Sequence, residues 1–144
     1  IDALENLGVQ ISSSQSNGTP PIIVKGGFEG GQTDIKGDVS SQFISSIIMA
    51  APYSKKPVTL NVKGTFVSKP YVNMTLSVIS KFGIDFEYDT TNIPEYSSYY
   101  IEPQKYEATD YTIEGDYSSA SYILAAAAIL PSNLTVKNLY KDSK

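Results

Sequence analysis

Ile35-Lys36-Gly37-Asp38-Val39-Ser40-Ser41 returns farther along the chain as Ile113-Glu114-Gly115-Asp116-Tyr117-Ser118-Ser119, with five of the seven positions unchanged. The agreement extends outward at the same offset, pairing Ile23 with Ile101, Phe28 with Tyr106 and Glu29 with Glu107. At slightly shorter offsets Leu7-Gly8-Val9 stands against Phe82-Gly83-Ile84, and Leu60-Asn61-Val62-Lys63 against Leu134-Thr135-Val136-Lys137. The offset drifts because connecting loops gain and lose residues at little cost. The period is well above the roughly 20 to 50 residues of solenoid repeats. It indicates a duplicated supersecondary unit able to bury its own sheet face.

Working outward from that stretch, each element can be placed. Ile1, Leu4 and Leu7 have helical spacing, and Gly8 supplies the stop. Val9 and Ile11 alternate with polar residues as a strand, 12–18 is a polar turn, and 22–25 is a second strand. Residues 33–36 form a brief strand. Asp38 or Ser40 caps a helix over 40–51, with Phe43, Ile44, Ile47, Ile48 and Ala51 on its apolar face, and Pro52 ends it. Strand 58–63 follows, and Ser68-Lys69-Pro70 opens a helix over 71–82 with Pro in its first turn. Strands are expected at 84–88, 99–102, 111–114 and 134–137, with a second Ser-capped helix over 118–130. The fold class is α/β (α+β), about four strands against two helices per unit, with both helices on one face of the sheet.

Composition narrows the function. The 144 residues, 41% hydrophobic and 18% charged, suit a globular domain. Net charge is −4, and all eleven basic residues are Lys, so the basic stripe of a nucleic-acid binder is missing. The chain has no Cys, hence no thiol nucleophile, and no His, hence neither the usual metal ligand nor the commonest general base. The longest apolar run, 122–130, is too short to span a membrane. A cytoplasmic protein is expected, with the sequons at Asn17, Asn73 and Asn133 arising by chance. The helical register of the first residues and the absence of an initiating Met suggest a piece of something longer.

The chemistry belongs where a strand hands over to a Ser-led helix. A helix start exposes unpaired N–H groups at the positive end of the macrodipole, so hydroxyls placed there make an anion receptor. Ser40, Ser41 and Gln42 offer that arrangement, whereas the second copy has Ser118, Ser119 and the inert Ala120. Ser68-Lys69-Pro70-Tyr71 opens another helix after a strand of the same sheet, so two helix starts can share one phosphate. The competing reading is that the serines only cap their helices, with Tyr71 filling a core gap; Asp38 and Asp116 are read as helix-capping acids in either case.

These motifs together resemble the 5-enolpyruvylshikimate-3-phosphate synthase family, the 3-phosphoshikimate 1-carboxyvinyltransferases. The resemblance rests on Gly37-Asp38-Val39-Ser40-Ser41-Gln42-Phe43, Met49-Ala50-Ala51-Pro52, Val67-Ser68-Lys69-Pro70-Tyr71 and Glu114-Gly115-Asp116-Tyr117-Ser118-Ser119-Ala120, in that order. It covers the whole chain, which corresponds to the middle third of a full enzyme. It implies a fold of two domains, each built from three β-α-β-α-β-β units. Residues 1–112 would be parts of two units of the shikimate-phosphate-binding domain, and 113–144 the start of the second domain. It further implies enolpyruvyl transfer from phosphoenolpyruvate to the 5-hydroxyl of shikimate 3-phosphate, a step of the shikimate pathway to the aromatic amino acids, with no metal or organic cofactor.

By the same resemblance Ser40, Ser41 and Ser68 hold the 3-phosphate, Gln42 reaches both substrates and Tyr71 packs beside the shikimate ring. The arginines and acid/base groups of the family have no counterpart here, so the segment is expected to bind shikimate 3-phosphate without turnover. The apolar helix over 118–130 is expected either to self-associate with a second copy or to be poorly ordered. A UDP-N-acetylglucosamine enolpyruvyl transferase relative and a non-catalytic repeat module remain as alternatives.

Overall fold

The computed structural model describes residues 1–89 and 96–141. The chain divides into two compact units, 1–109 and 110–144. In the first, helix α1 (Asp2–Asn6) leads into an antiparallel pair, β1 (Gln10–Ser13) and β2 (Ile22–Gly26). Then come β3 (Gly31–Lys36), α2 (Ser41–Ala50), a 3-10 turn over Ala51–Tyr53, β4 (Val58–Lys63), α3 (Lys69–Lys81), β5 (Glu87–Asp89) and β6 (Tyr96–Ile101). The four later strands form one sheet in the order β3-β4-β6-β5, with β3 parallel to β4 and the other pairs antiparallel. From β3 to β6 the chain is one complete β-α-β-α-β-β unit.

The sheet is two-faced because side chains alternate along each strand. Val58, Leu60 and Val62 of β4, with Tyr99 and Ile101 of β6, share a core with Ile44, Ile47 and Ile48 of α2 and Val72, Leu76 and Ile79 of α3. Both helices therefore lie on one face, as expected. Each such side chain contributes about 1.5 to 3 kcal/mol by leaving water. The opposite face is polar. At its centre the Asn61 amide group, 4% exposed, donates to Asp34 Oδ1 at 2.9 Å and accepts from Tyr96 Oη at 2.8 Å and Ser98 Oγ at 3.0 Å. Lys63 closes on Asp34 at 2.6 Å.

The repeat is visible in the contacts as well as the letters. Glu29 N–H donates to Leu7 O at 2.9 Å, and Glu107 N–H to Phe82 O at 2.8 Å. In both places the helix-ending glycine, Gly8 at φ +83° or Gly83 at φ +81°, leaves space that the glutamate side chain occupies. So α1 with β1 and β2 is the tail of one copy, and β3 to β6 is a whole copy.

The second unit holds α4 (Tyr117–Ile129) and the segments flanking it. Gly115 N–H donates to Asn138 O at 2.7 Å, and Asn138 Nδ2 to Ile113 O at 3.0 Å. Of the α4 side chains only Ala120 is buried; Tyr122, Ile123, Leu124 and Ile129 are all exposed.

Several expectations need correction. Residues 111–114 and 134–137 are not strands: this small unit offers them a few tying hydrogen bonds and no extended ladder, which a strand requires. The strand expected at 84–88 is confined to 87–89, because Ile84 N–H is spent on Ile79 O at the end of α3. Phe43 is 54% exposed, off the buried face of α2. Helix α4 is capped by Asp116, and α2 by Ser40 with Asp38 uninvolved. No helix among the described residues is long and apolar enough to cross a membrane.

Candidate functional site

The candidate site is set by the parallel pair β3–β4 at one side of the four-stranded sheet. Strands β3 and β4 run in register to Lys36 opposite Lys63, so they end level, and each then turns into a helix. The starts of α2 and α3 consequently share the carboxyl edge of the sheet, where open α/β sheets commonly receive ligands. Two backbone hydrogen bonds tie the intervening loops together: Gly37 N–H to Lys63 O at 2.9 Å and Val67 N–H to Gly37 O at 3.1 Å. One turn further on, Thr75 Oγ1 of α3 donates to Ser45 Oγ of α2 at 2.8 Å, holding the helices side by side.

The expected site residues fall on this edge with distinct roles. Ser40 is the N-cap of α2 and accepts from Gln42 N–H at 3.2 Å, so the capping reading holds for this residue. Ser41 is buried in the first turn, and Gln42 beside it is exposed. Ser68 does something different. It sits at the start of α3 in the left-handed region, φ 63° and ψ 31°, and its hydroxyl makes no capping hydrogen bond. This backbone conformation costs a non-glycine residue roughly 1 to 2 kcal/mol and leaves the exposed hydroxyl unspent on its own helix. Tyr71, 57% exposed, fills no core gap. Lys69 places its Nζ 6.0 Å from the Phe66 ring centroid, the outer limit of a cation–π contact, so a cation also stands at this edge.

The second unit supplies a built-in comparison. There the Asp116 carboxylate accepts from Ser118 N–H at 2.9 Å, from Ser119 N–H at 3.2 Å and from Ser119 Oγ at 2.6 Å. An anion carried by the chain itself already fills that helix start. The N-caps of α2 and α3 are instead the neutral Ser40 and Ser68, and neither helix has an acidic residue in its first turn. The first unit therefore keeps open what the second closes.

This contrast carries a pH signature. The Ser119 hydroxyl first, and then the Ser118 N–H, hold the Asp116 carboxyl below its ordinary value. A depressed folded-state pKa means the contribution is complete above the unfolded value of about 3.9 and is lost as pH falls through the lower folded value. The Ser118 and Ser119 amide resonances are thus expected to hold until below about pH 4, followed by NMR titration. A transition centred above that point would contradict the cap.

A cleft of about 710 Å3 lies between α1, β3 and α2, lined by Leu4, Ile35, Phe43 and Ile47 with Asp34, Lys36 and Lys63 near its rim. None of Ser40, Ser41, Gln42, Ser68 and Tyr71 lines it, so the candidate site is an open edge and not this cleft. No group of three or more His, Cys, Asp or Glu suited to a metal ion occurs among the described residues. Sequence reading missed Gly37, whose retention as Gly115 in the repeat was the available signal.

A β-α-β-α-β-β unit with partial copies on either side, and paired helix starts at one sheet edge, is the enolpyruvyl transferase fold. The chain belongs to the EPSP synthase (3-phosphoshikimate 1-carboxyvinyltransferase) family, which it matches over residues 1–144. Its relatives include the 3-phosphoshikimate 1-carboxyvinyltransferase of Methanosphaera stadtmanae, 99% identical over 143 residues, covering 99% of this chain and 34% of that protein. The enzyme of the same name from Methanothermobacter thermautotrophicus is 48% identical over 144 residues, covering 100% of this chain and 33% of the relative. That of Methanocaldococcus jannaschii is 42% identical over 145 residues, again 100% and 33%. The chain spans about a third of the length of the curated relatives it matches.

Proposed function

We propose that this chain carries the shikimate 3-phosphate side of an enolpyruvyl transferase. The whole protein moves the enolpyruvyl group of phosphoenolpyruvate onto the 5-hydroxyl of shikimate 3-phosphate, a cytoplasmic step of the shikimate pathway. The observation that carries this reading is the pair of adjacent helix starts, tied together through Gly37, with the Ser68 hydroxyl left over from capping and no acid in either first turn. Ser40, Ser41 and Ser68 ring the 3-phosphate, Gln42 reaches from the first turn of α2 toward both substrates, and Tyr71 flanks the ring. Segments of the protein outside 1–144 provide the arginines and the acid/base groups, so this chain binds without turnover. Residues 1–112 belong to the shikimate-phosphate-binding domain and 113–144 open the second domain, a division supported by the compact units 1–109 and 110–144.

Titrating shikimate 3-phosphate into the isotopically labelled chain tests this reading. Amide shifts at Ser41, Gln42, Lys69 and Tyr71 are expected, with no enolpyruvyl product formed on adding phosphoenolpyruvate. Silence at those amides, or turnover, defeats it. The exposed apolar side chains of α4 also support association of the chain through 118–130, which concentration-dependent broadening of those resonances in the same sample would report.

A further inference from the structure

We propose that Gly37 is a positioning residue that sets the separation between the Ser40 and Ser68 loops, an inference that rests on the phosphate-site reading above. The Gly37 backbone bonds both ways: it donates to Lys63 O at the end of β4 and accepts from Val67 N–H, the residue before Ser68. Three residues later in its own loop stands Ser40.

The approach is close enough that any side chain here would be crowded. A Cβ at Gly37 would lie 2.9 Å from Val62 Cγ1, 3.2 Å from Phe66 Cα and 3.2 Å from Thr65 O. The first neighbour is a side chain; the other two are backbone of the loop leading to Ser68. Relieving those two contacts moves the loop backbone by a few tenths of an ångström, and the Ser68 hydroxyl with it.

The second unit repeats the device. Gly115 N–H donates to Asn138 O at 2.7 Å, and a Cβ there would meet the same oxygen at 2.9 Å. Both stretches past the strand position also contain a left-handed residue, Gly64 at φ +79° and Asn138 at φ 64°. The close-packed donor glycine is thus shared by the two units, while the bond from Val67 N–H to Gly37 O belongs to the first. In the first unit it joins two loops that both bear site serines. Hydrogen bonds to a phosphate weaken steeply with displacement, so a ligand that bridges the two loops reads their spacing directly.

The test uses the full-length Methanosphaera stadtmanae relative with substitutions numbered as here: Gly37→Ala, Val62→Ala, Gly37→Ala with Val62→Ala, and Ser40→Ala. Gly37→Ala is expected to raise KM for shikimate 3-phosphate about tenfold or more, the loss that follows from weakening a charge-assisted contact. KM for phosphoenolpyruvate and kcat at saturation should stay unchanged. Adding Val62→Ala removes the side-chain clash at the cost of core packing, so the double variant is compared with Val62→Ala alone: their melting temperatures should match, while the two backbone contacts keep the KM defect.

Return of all constants to wild type in the double variant, or failure of both Gly37 variants to fold, gives Gly37 a purely structural role and overturns the proposal. If Ser40→Ala raises the KM and the folded Gly37 variants do not, the positioning role falls alone. If Ser40→Ala leaves it unchanged, the phosphate-site reading falls with it.

Discussion

Shikimate 3-phosphate affinity is expected to drop about 10-fold to 150-fold when Ser68→Ala is introduced into the full-length relative, the range set by roughly 1.5 to 3 kcal/mol for a hydrogen bond to a charged group. The structure makes this residue unusually informative because its hydroxyl is not committed to capping α3. Ser40→Ala mixes two effects, since that side chain also accepts from Gln42 N–H; losing a cap costs roughly 1 kcal/mol of stability by itself. Ser68→Gly separates them. Glycine takes the left-handed conformation freely, so this variant is expected to gain up to about 1 kcal/mol of stability while losing affinity as Ser68→Ala does. Calorimetric titration alongside thermal unfolding reads both quantities. A Ser68→Gly protein that binds as tightly as wild type would remove the hydroxyl from the site.

The largest stability effect is expected far from the serines, at the opposite end of the parallel pair. Gly30→Ala should destabilise the fold by at least about 2 kcal/mol, combining backbone strain with a collision. Gly30 has φ +92°, and an added Cβ would press into the Lys56 carbonyl oxygen, with Lys56 C at 2.9 Å and Pro57 O at 3.2 Å. The neighbours cannot retreat independently. Gly30 N–H donates to Leu7 O, Gly31 N–H to Pro57 O at 2.8 Å and Lys56 N–H to Glu29 O at 2.8 Å, so α1, β3 and the loop before β4 are knotted together there. Denaturant unfolding measures the loss. A change of only a few tenths of a kcal/mol would mean the knot relaxes easily.

Much of this architecture was legible in the letters, for identifiable reasons. Ile44, Ile47 and Ile48 recur at helical spacing and are buried, and Val58, Leu60 and Val62 alternate and are buried, because period and burial are the same fact seen twice. Phe43 belonged to the same periodic set yet faces outward: spacing defines a stripe but not its edges. Reading Asp116 as a capping acid holds, since its carboxylate accepts from the Ser118 and Ser119 amides, whereas the same reading of Asp38 fails because Ser40 takes the N-cap of α2. Residues 111–114 look like a strand and are not one, since a strand depends on neighbours that local sequence does not specify. At the candidate site, the placement of Ser40, Ser41 and Ser68 at helix starts was legible, the first two from their return as Ser118 and Ser119. The left-handed turn at Ser68 was not, because serine seldom adopts it and nothing in its type announces the exception.

The Asp116 cap has a thermodynamic corollary. On the phosphate-site reading, the helix beginning at Ser41 gains free energy when an oxyanion is bound, so by mass action the stability of residues 1–109 rises with ligand concentration. The start of α4 already carries its own carboxylate, and what that cap contributes follows acidity instead.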